Sequence, residues 1–223
     1  MAIIKIDDVG FSIHERVLFD GLKAEFYAGE KVAVIGEVGS GRSDLLNLLT
    51  GLSSPDSGSV HIFGVDINRI GAQELDGIRK RMGIVSQTAA LISNLKVIEN
   101  VTLPLLYHTG ISSEEILRQG NELLKRVGYD EDIWILPGLL PVFKKKEVSL
   151  ARALALDPEI MIYDRLLEGA DSRQKEFMFA LTDEFHNSNG NRLSIFMSND
   201  MEEVSGLSMS RIFKIREKTL VEV

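Results

Sequence analysis

Cysteine is absent from this 223-residue chain. That excludes disulfide scaffolds, thiol catalysis and cysteine-ligated zinc, and it suits a reducing compartment. A basic excess is also absent: 25 Lys and Arg stand against 33 Asp and Glu, a formal charge of −8. A general nucleic-acid or anionic-membrane binder needs the opposite balance, so no nucleic-acid partner is expected. A single phosphorylated ligand at a local site remains compatible. Long apolar runs are missing; the one ending at Tyr163 spans a few residues, against the roughly 20 a membrane helix needs. The opening MAIIKIDDVGF carries Asp7 and Asp8 and lacks the apolar centre of a secretory signal, so a cytoplasmic protein is expected. Histidine is scarce. His14, His61, His108 and His186 form no i, i+4 pair with an acid, which argues against a zinc hydrolase.

What is present is ordinary globular usage, 44% hydrophobic and 26% charged, in a chain long enough to bury a core without staples. Alternation and β-branched runs mark strands at 3–7, 17–27, 31–36, 59–63, 82–86, 159–163, 192–197, 210–215 and 218–222. Helical spacing marks 42–52, 72–81, 97–106, 113–127, 130–136, 147–156, 172–188 and 200–206. Ser112-Ser113-Glu114-Glu115 reads as a helix start with acids in the first turn. Strands and helices alternating around a glycine loop argue an α/β core with a parallel sheet.

That loop is Gly36-Glu37-Val38-Gly39-Ser40-Gly41-Arg42-Ser43. It fits G-x-x-x-x-G-K-[ST] except that Arg42 stands where lysine belongs. The glycines free successive N–H groups to face phosphate, and the following helix, with Asp44 in its first turn, offers its positive dipole end. Ser43 is the Mg²⁺-ligand position. Without a ligand, the same segment is a plain strand-to-helix turn. Arg42 keeps the charge, but its planar fork is larger than an ammonium and not interchangeable with it.

Further residues extend the pattern. Ser86-Gln87 follows a strand. Ser149-Leu150-Ala151-Arg152-Ala153-Leu154-Ala155-Leu156-Asp157-Pro158-Glu159 precedes Ile160-Met161-Ile162-Tyr163-Asp164, then come Glu168-Gly169-Ala170-Asp171 and Met197-Ser198-Asn199-Asp200. In order and spacing these resemble the Walker A, Q-loop, post-signature, Walker B, D-loop and switch segments of ABC transporter ATP-binding subunits. Within that family, VGFSIHERVLFD, IRKRMGIVSQTAALISNLKVIENVTLPLLYHTG and LLEGAD resemble the ATPases of Mla/Mce-type lipid transporters. The resemblance implies an α/β fold: a P-loop NTPase (RecA-like) ABC ATPase core with an N-terminal antiparallel β subdomain and an inserted α-helical subdomain. It implies one domain over 1–223, with core at 1–87 and 147–223 and helical subdomain at 88–146. ATP and Mg²⁺ are the implied cofactors. Gly36 to Asp44, Gln87 and Ile13 are the implied nucleotide contacts, Ile13 at the position of an adenine-stacking aromatic with Phe11 close by in sequence. Ser43, Gln87 and Asp164 are the implied metal ligands. The implied partners are a membrane permease subunit and a second ATP-binding subunit, identical or different. The implied location is peripheral, on the cytoplasmic face of the inner membrane.

Against that pattern the chain departs at four places. Arg42 replaces the lysine. The LSGGQ signature slot holds Leu140-Pro141-Val142-Phe143-Lys144, where only the leucine survives and proline has no N–H. Arg165 replaces the glutamate that polarises the attacking water; a guanidinium stays protonated and cannot accept that proton. It is free to pair with a neighbouring carboxylate or to touch phosphate. Asn199 replaces the switch histidine. Lys144-Lys145-Lys146 read first as a solvated charged face, with a substitute phosphate contact as the alternative. Trp134 reads as a core or subunit-contact residue. What is kept could hold phosphates and Mg²⁺, and what is lost fires hydrolysis. The expectation is an ATP-binding transporter subunit with weak or absent hydrolysis. An active ATPase driving lipid transport and a nucleotide-sensing scaffold without a permease are the alternatives; a small-molecule kinase is disfavoured.

Overall fold

A computed structural model describes residues 2–223. In chain order its elements are β1 (Ala2–Ile13), β2 (Arg16–Tyr27), β3 (Lys31–Ile35), α1 (Arg42–Leu49), β4 (Ser57–Ile62), β5 (Val65–Asp66), α2 (Ala72–Arg79) and β6 (Met82–Val85). There follow α3 (Val97–His108), α4 (Ser113–Arg126), α5 (Val142–Leu154), β7 (Ile160–Asp164), α6 (Ser172–Asn187), β8 (Leu193–Ser198), β9 (Arg211–Arg216) and β10 (Thr219–Glu222). Two compact units divide the chain: one runs to Arg79 and resumes at His186, and the other is Lys80–Phe185. Among the described residues no helix is long and apolar enough to cross a membrane.

The first unit holds an antiparallel sheet of order β2-β1-β4-β5. Its second sheet places β3 parallel to both β8 and β9, with β10 antiparallel to β9. All five residues of β3 (KVAVI) and all six of β8 (LSIFMS) are buried. A strand covered on both faces needs such a continuous run rather than alternation. The register sets the site: Ile35 pairs with Ser198, and Gly36 N–H donates to the Ser198 carbonyl at 2.9 Å. Gly36 and Asn199 therefore leave the sheet side by side. Helix α1 then turns Leu45, Leu46, Leu48 and Leu49 into the core, as their spacing predicts.

In the second unit β6 and β7 run parallel, Ile84 opposite Ile162 and Val85 opposite Tyr163. Gly83 opposite Met161 has no room for a side chain; a Cβ there would sit 2.2 Å from the Met161 sulfur. The expected start of α4 is observed, with the Ser112 hydroxyl accepting from Glu115 N–H. Asn100 is fully buried; its Oδ1 accepts from Ile92 N–H and its Nδ2 donates to the carbonyls of Ile92, Leu95 and Lys96. The Arg152 guanidinium donates to the carbonyls of Ala89 and Ala90. These two side chains hold the segment that follows β6.

Four expectations are corrected. Residues 130–136 are not a helix: the Ile133 and Ile135 carbonyls accept from Ile98 and Val97 N–H, completing the start of α3, and a short 3-10 turn (Pro137–Leu139) follows. Trp134 in that segment is not core; it is 52% exposed with the Lys96 ammonium over its ring. Helix α5 begins at Val142 rather than 147, because Pro141 precedes the helix, where its missing N–H costs no helical bond. Of the helix expected at 200–206, only a 3-10 turn at Glu202–Val204 forms.

Candidate functional site

The loop from Gly36 to Ser43 leaves β3 and enters α1 through two left-handed glycines, Gly39 at φ 82° and Gly41 at φ 94°. A Cβ on Gly41 would lie 3.0 Å from the Phe19 ring. A Cβ on Gly36 would lie 2.5 Å from Ser40 Oγ, so the loop closes tightly on itself. Ser40 N–H donates to the Glu37 carbonyl at 3.0 Å. Glu37, Val38 and Gly39 form an exposed rim, with Val38 89% exposed. No side chain caps α1, so its first N–H groups stay available to an anion. The Ser40 hydroxyl is buried without a protein partner. Cradle, open helix start and unpartnered hydroxyl together fit a phosphate tail.

Beneath the loop lies Arg42, 6% exposed. Its Nη1 donates to the Gly36 carbonyl at 2.9 Å and to Asn199 Oδ1 at 2.5 Å. The cation expected to reach phosphate is thus bonded to the loop's own backbone and to the switch-position side chain. Above the loop, the β1–β2 hairpin brings Arg16, whose Nη2 donates to the Gly39 carbonyl at 2.7 Å. Ile13, His14, Glu15, Arg16 and Leu18 line a cavity of about 730 Å³ with Gly39, Gly41 and Asp44. Ile13 is 41% exposed there, an apolar surface for a base without an aromatic ring. Phe11 is no substitute; it is buried in the core. Burial raises the Asp44 carboxyl above its ordinary pKa.

The second unit carries the other expected positions. Gln87 is half-buried just after β6, and Asp164 is buried at the end of β7. Arg165 follows in a left-handed backbone, φ 50°, uncommon for a side-chain-bearing residue. Its guanidinium pairs with Glu168 at 3.3 Å, as one of the two expectations for it held. The signature slot forms the approach and first turn of α5. Leu140 and Phe143 are buried, Pro141 precedes the helix, and Val142 is 55% exposed.

The solvated lysine face is overturned. Lys144 pairs with Asp130 at 2.5 Å and Glu147 at 2.9 Å. Lys146 is 1% exposed, donating to the carbonyls of Ser86 and Asp164. Burial pushes the Glu147 carboxyl up to about 7, against the opposing pull of Lys144. A helical wheel carried the missed signal for Lys146: it shares a stripe with Phe143, Leu150 and Leu154, all buried. Arg16, Asn100 and Arg152 were also missed, because each acts on backbone distant from it or shaped only by the fold.

Residues 19–166 match the family model described as ABC transporter. The chain belongs to the ABC transporter family, as an ATP-binding domain. It is 30% identical over 221 residues to the intermembrane phospholipid transport system ATP-binding protein MlaF of Haemophilus influenzae, covering 99% of this chain and 83% of that protein. It is 31% identical over 220 residues to the methionine import ATP-binding protein MetN of Rhizobium johnstonii, spanning 99% of this chain and 60% of MetN's length. Its fold superposes on the ATP-binding cassette MJ0796, solved as a dimer in a post-hydrolysis state with ADP and Pi, at a TM-score of 0.90. That match has 27% identity and covers 99% of this chain and 97% of the other. An ABC ATP-binding domain binds ATP.

Proposed function

We propose that this chain is the ATP-binding subunit of a membrane lipid transporter in which ATP is bound and hydrolysis is weak or absent. The observation that carries the reading is the Arg42 guanidinium, bonded to the Gly36 carbonyl and Asn199 Oδ1. In the family pattern, positions 42 and 199 carry separate contacts to the terminal phosphate. Here the two side chains engage each other. At position 165 a guanidinium paired with Glu168 stands where a carboxylate would activate water. The signature slot presents Pro141 and the exposed, apolar Val142 rather than a serine hydroxyl and close-approaching glycine N–H groups.

The residues kept fit a nucleotide. The loop supplies N–H donors and α1 its positive end; Ile13 supplies an apolar surface; Arg16 braces Gly39. The family resemblance assigns Mg²⁺ ligation to Ser43, Gln87 and Asp164, whose hydroxyl, amide and carboxylate oxygens are the hard donors it takes. When bound, Mg²⁺ supplies charge neutralisation to the phosphates. Among the described residues, no group of three or more His, Asp or Glu gathers as a metal site. Lipid as cargo draws support from the MlaF similarity together with the three sequence stretches named above. The exposed apolar side chains of Leu106, Tyr107 and Ile111 suit docking of a permease by the 88–146 segment. That docking places the chain on the cytoplasmic face of the inner membrane, beside a second ATP-binding subunit.

Two measurements test the reading together. Titration with a fluorescent ATP analogue is expected to show saturable binding. Co-purification from a strain expressing a candidate permease is expected to depend on residues 88–146. No binding at millimolar nucleotide leaves only the scaffold function, and no permease capture removes the transporter role.

A further inference from the structure

The ladder between β6 and β7 has its last rung at Val85 opposite Tyr163. The next residues are Ser86, neighbour of Gln87, and Asp164, neighbour of Arg165. Beyond the rung their carbonyls need partners from elsewhere. One atom serves both: Lys146 Nζ lies 2.9 Å from the Ser86 carbonyl and 3.0 Å from the Asp164 carbonyl. We propose that Lys146 is a positioning residue that clamps the Gln87 segment to the Asp164 end of β7.

Lysine suits this task. An ammonium carries three donors and no acceptor, so a single tip can satisfy two converging carbonyls. Its charge strengthens both bonds. Burying it at 1% exposure costs several kcal/mol unless those bonds are kept, so departure from the carbonyls is penalised. The stem comes from α5, whose neighbours Phe143, Leu150 and Leu154 are buried and fix the helix. Lys146 of helix α5, two residues beyond the signature slot, therefore ties together the two strand ends that carry Gln87 and Asp164. The clamp itself is independent of nucleotide. Its consequence for Mg²⁺ rests on the function proposed above.

The test uses the full chain with Lys146→Met and Lys146→Gln. Methionine keeps an unbranched apolar stem, one atom shorter, and loses every donor. Glutamine keeps two N–H groups on a stem one atom shorter. Hydrogen exchange is read by mass spectrometry, and nucleotide affinity by a fluorescent ATP analogue with Mg²⁺ or with EDTA. Exchange over residues 86–89 and 164–167 is expected to rise about ten-fold in Lys146→Met, with β3 and α4 unchanged. Lys146→Gln should fall between. The gain in affinity from Mg²⁺ is expected to shrink roughly ten-fold in Lys146→Met, with the EDTA value held within about two-fold. Unchanged protection at 86–89, protection lost evenly over the chain, or an unchanged or larger Mg²⁺ gain would overturn the proposal. Should Lys146→Met not fold, Lys146→Gln carries both readouts. A native protein with no Mg²⁺ gain at all removes the metal reading, and the exchange result then decides the clamp alone.

Discussion

Arg42 and Asn199, which follow the neighbouring parallel strands β3 and β8, are bonded to each other, Nη1 to Oδ1 at 2.5 Å. The pairing follows from register. Ile35 opposite Ser198 makes Gly36 and Asn199 emerge together, and Arg42 reaches back from the first turn of α1. One charge-assisted bond thus engages Nη1 of Arg42 and Oδ1 of Asn199.

That relationship predicts energetic coupling. In a double-mutant cycle of Arg42→Ala and Asn199→Ala, read by denaturant unfolding, the coupling should be about 1–3 kcal/mol. Simple additivity would mean that the two side chains act independently.

Glu147 predicts a pH slope of stability. Its carboxyl is raised from 4.5 to about 7, chiefly by burial. The folded state then holds a proton that the unfolded chain has released. This contribution is full below pH 4.5 and is lost as pH rises to about 7. Its size is on the order of 3 kcal/mol at most, from 1.36 kcal/mol per pKa unit. Replacing Glu147 with Gln should remove that part of the slope between pH 5 and 8 in chemical denaturation. An identical slope in both proteins would contradict it.

Asn100 predicts a large local loss. It is fully buried with bonds to Ile92, Leu95 and Lys96 backbone. Asn100→Ala strands those groups and should cost about 2–4 kcal/mol in unfolding free energy. Raised proteolysis at 88–96 should accompany it. A loss below about 0.5 kcal/mol, the range of an ordinary surface change, would show that the segment is held otherwise.

Much of the scaffold was legible in the residues. The KVAVI and IMIYD runs announced fully buried parallel strands, and the leucines after Gly41 announced α1. The glycine loop announced the tight turn from β3 into α1. What was not legible depended on register and on distant backbone. Nothing in the local sequence says that Asn199 emerges beside Gly36. The 130–136 segment looked helical, yet its carbonyls go to the start of α3. The lysine run looked like surface because charge is usually solvated. Two of its members instead meet buried or paired positions, Lys144 with Asp130 and Glu147, Lys146 with two strand-end carbonyls.

The central claim is that the cradle binds while the cutting machinery is gone. Its most direct test is steady-state phosphate release by the purified chain at saturating Mg-ATP, in a sample whose nucleotide occupancy is measured in parallel. The account predicts an occupied site and release at least about 100-fold below an intact cassette under the same conditions. Saturated binding with turnover equal to that cassette would contradict it.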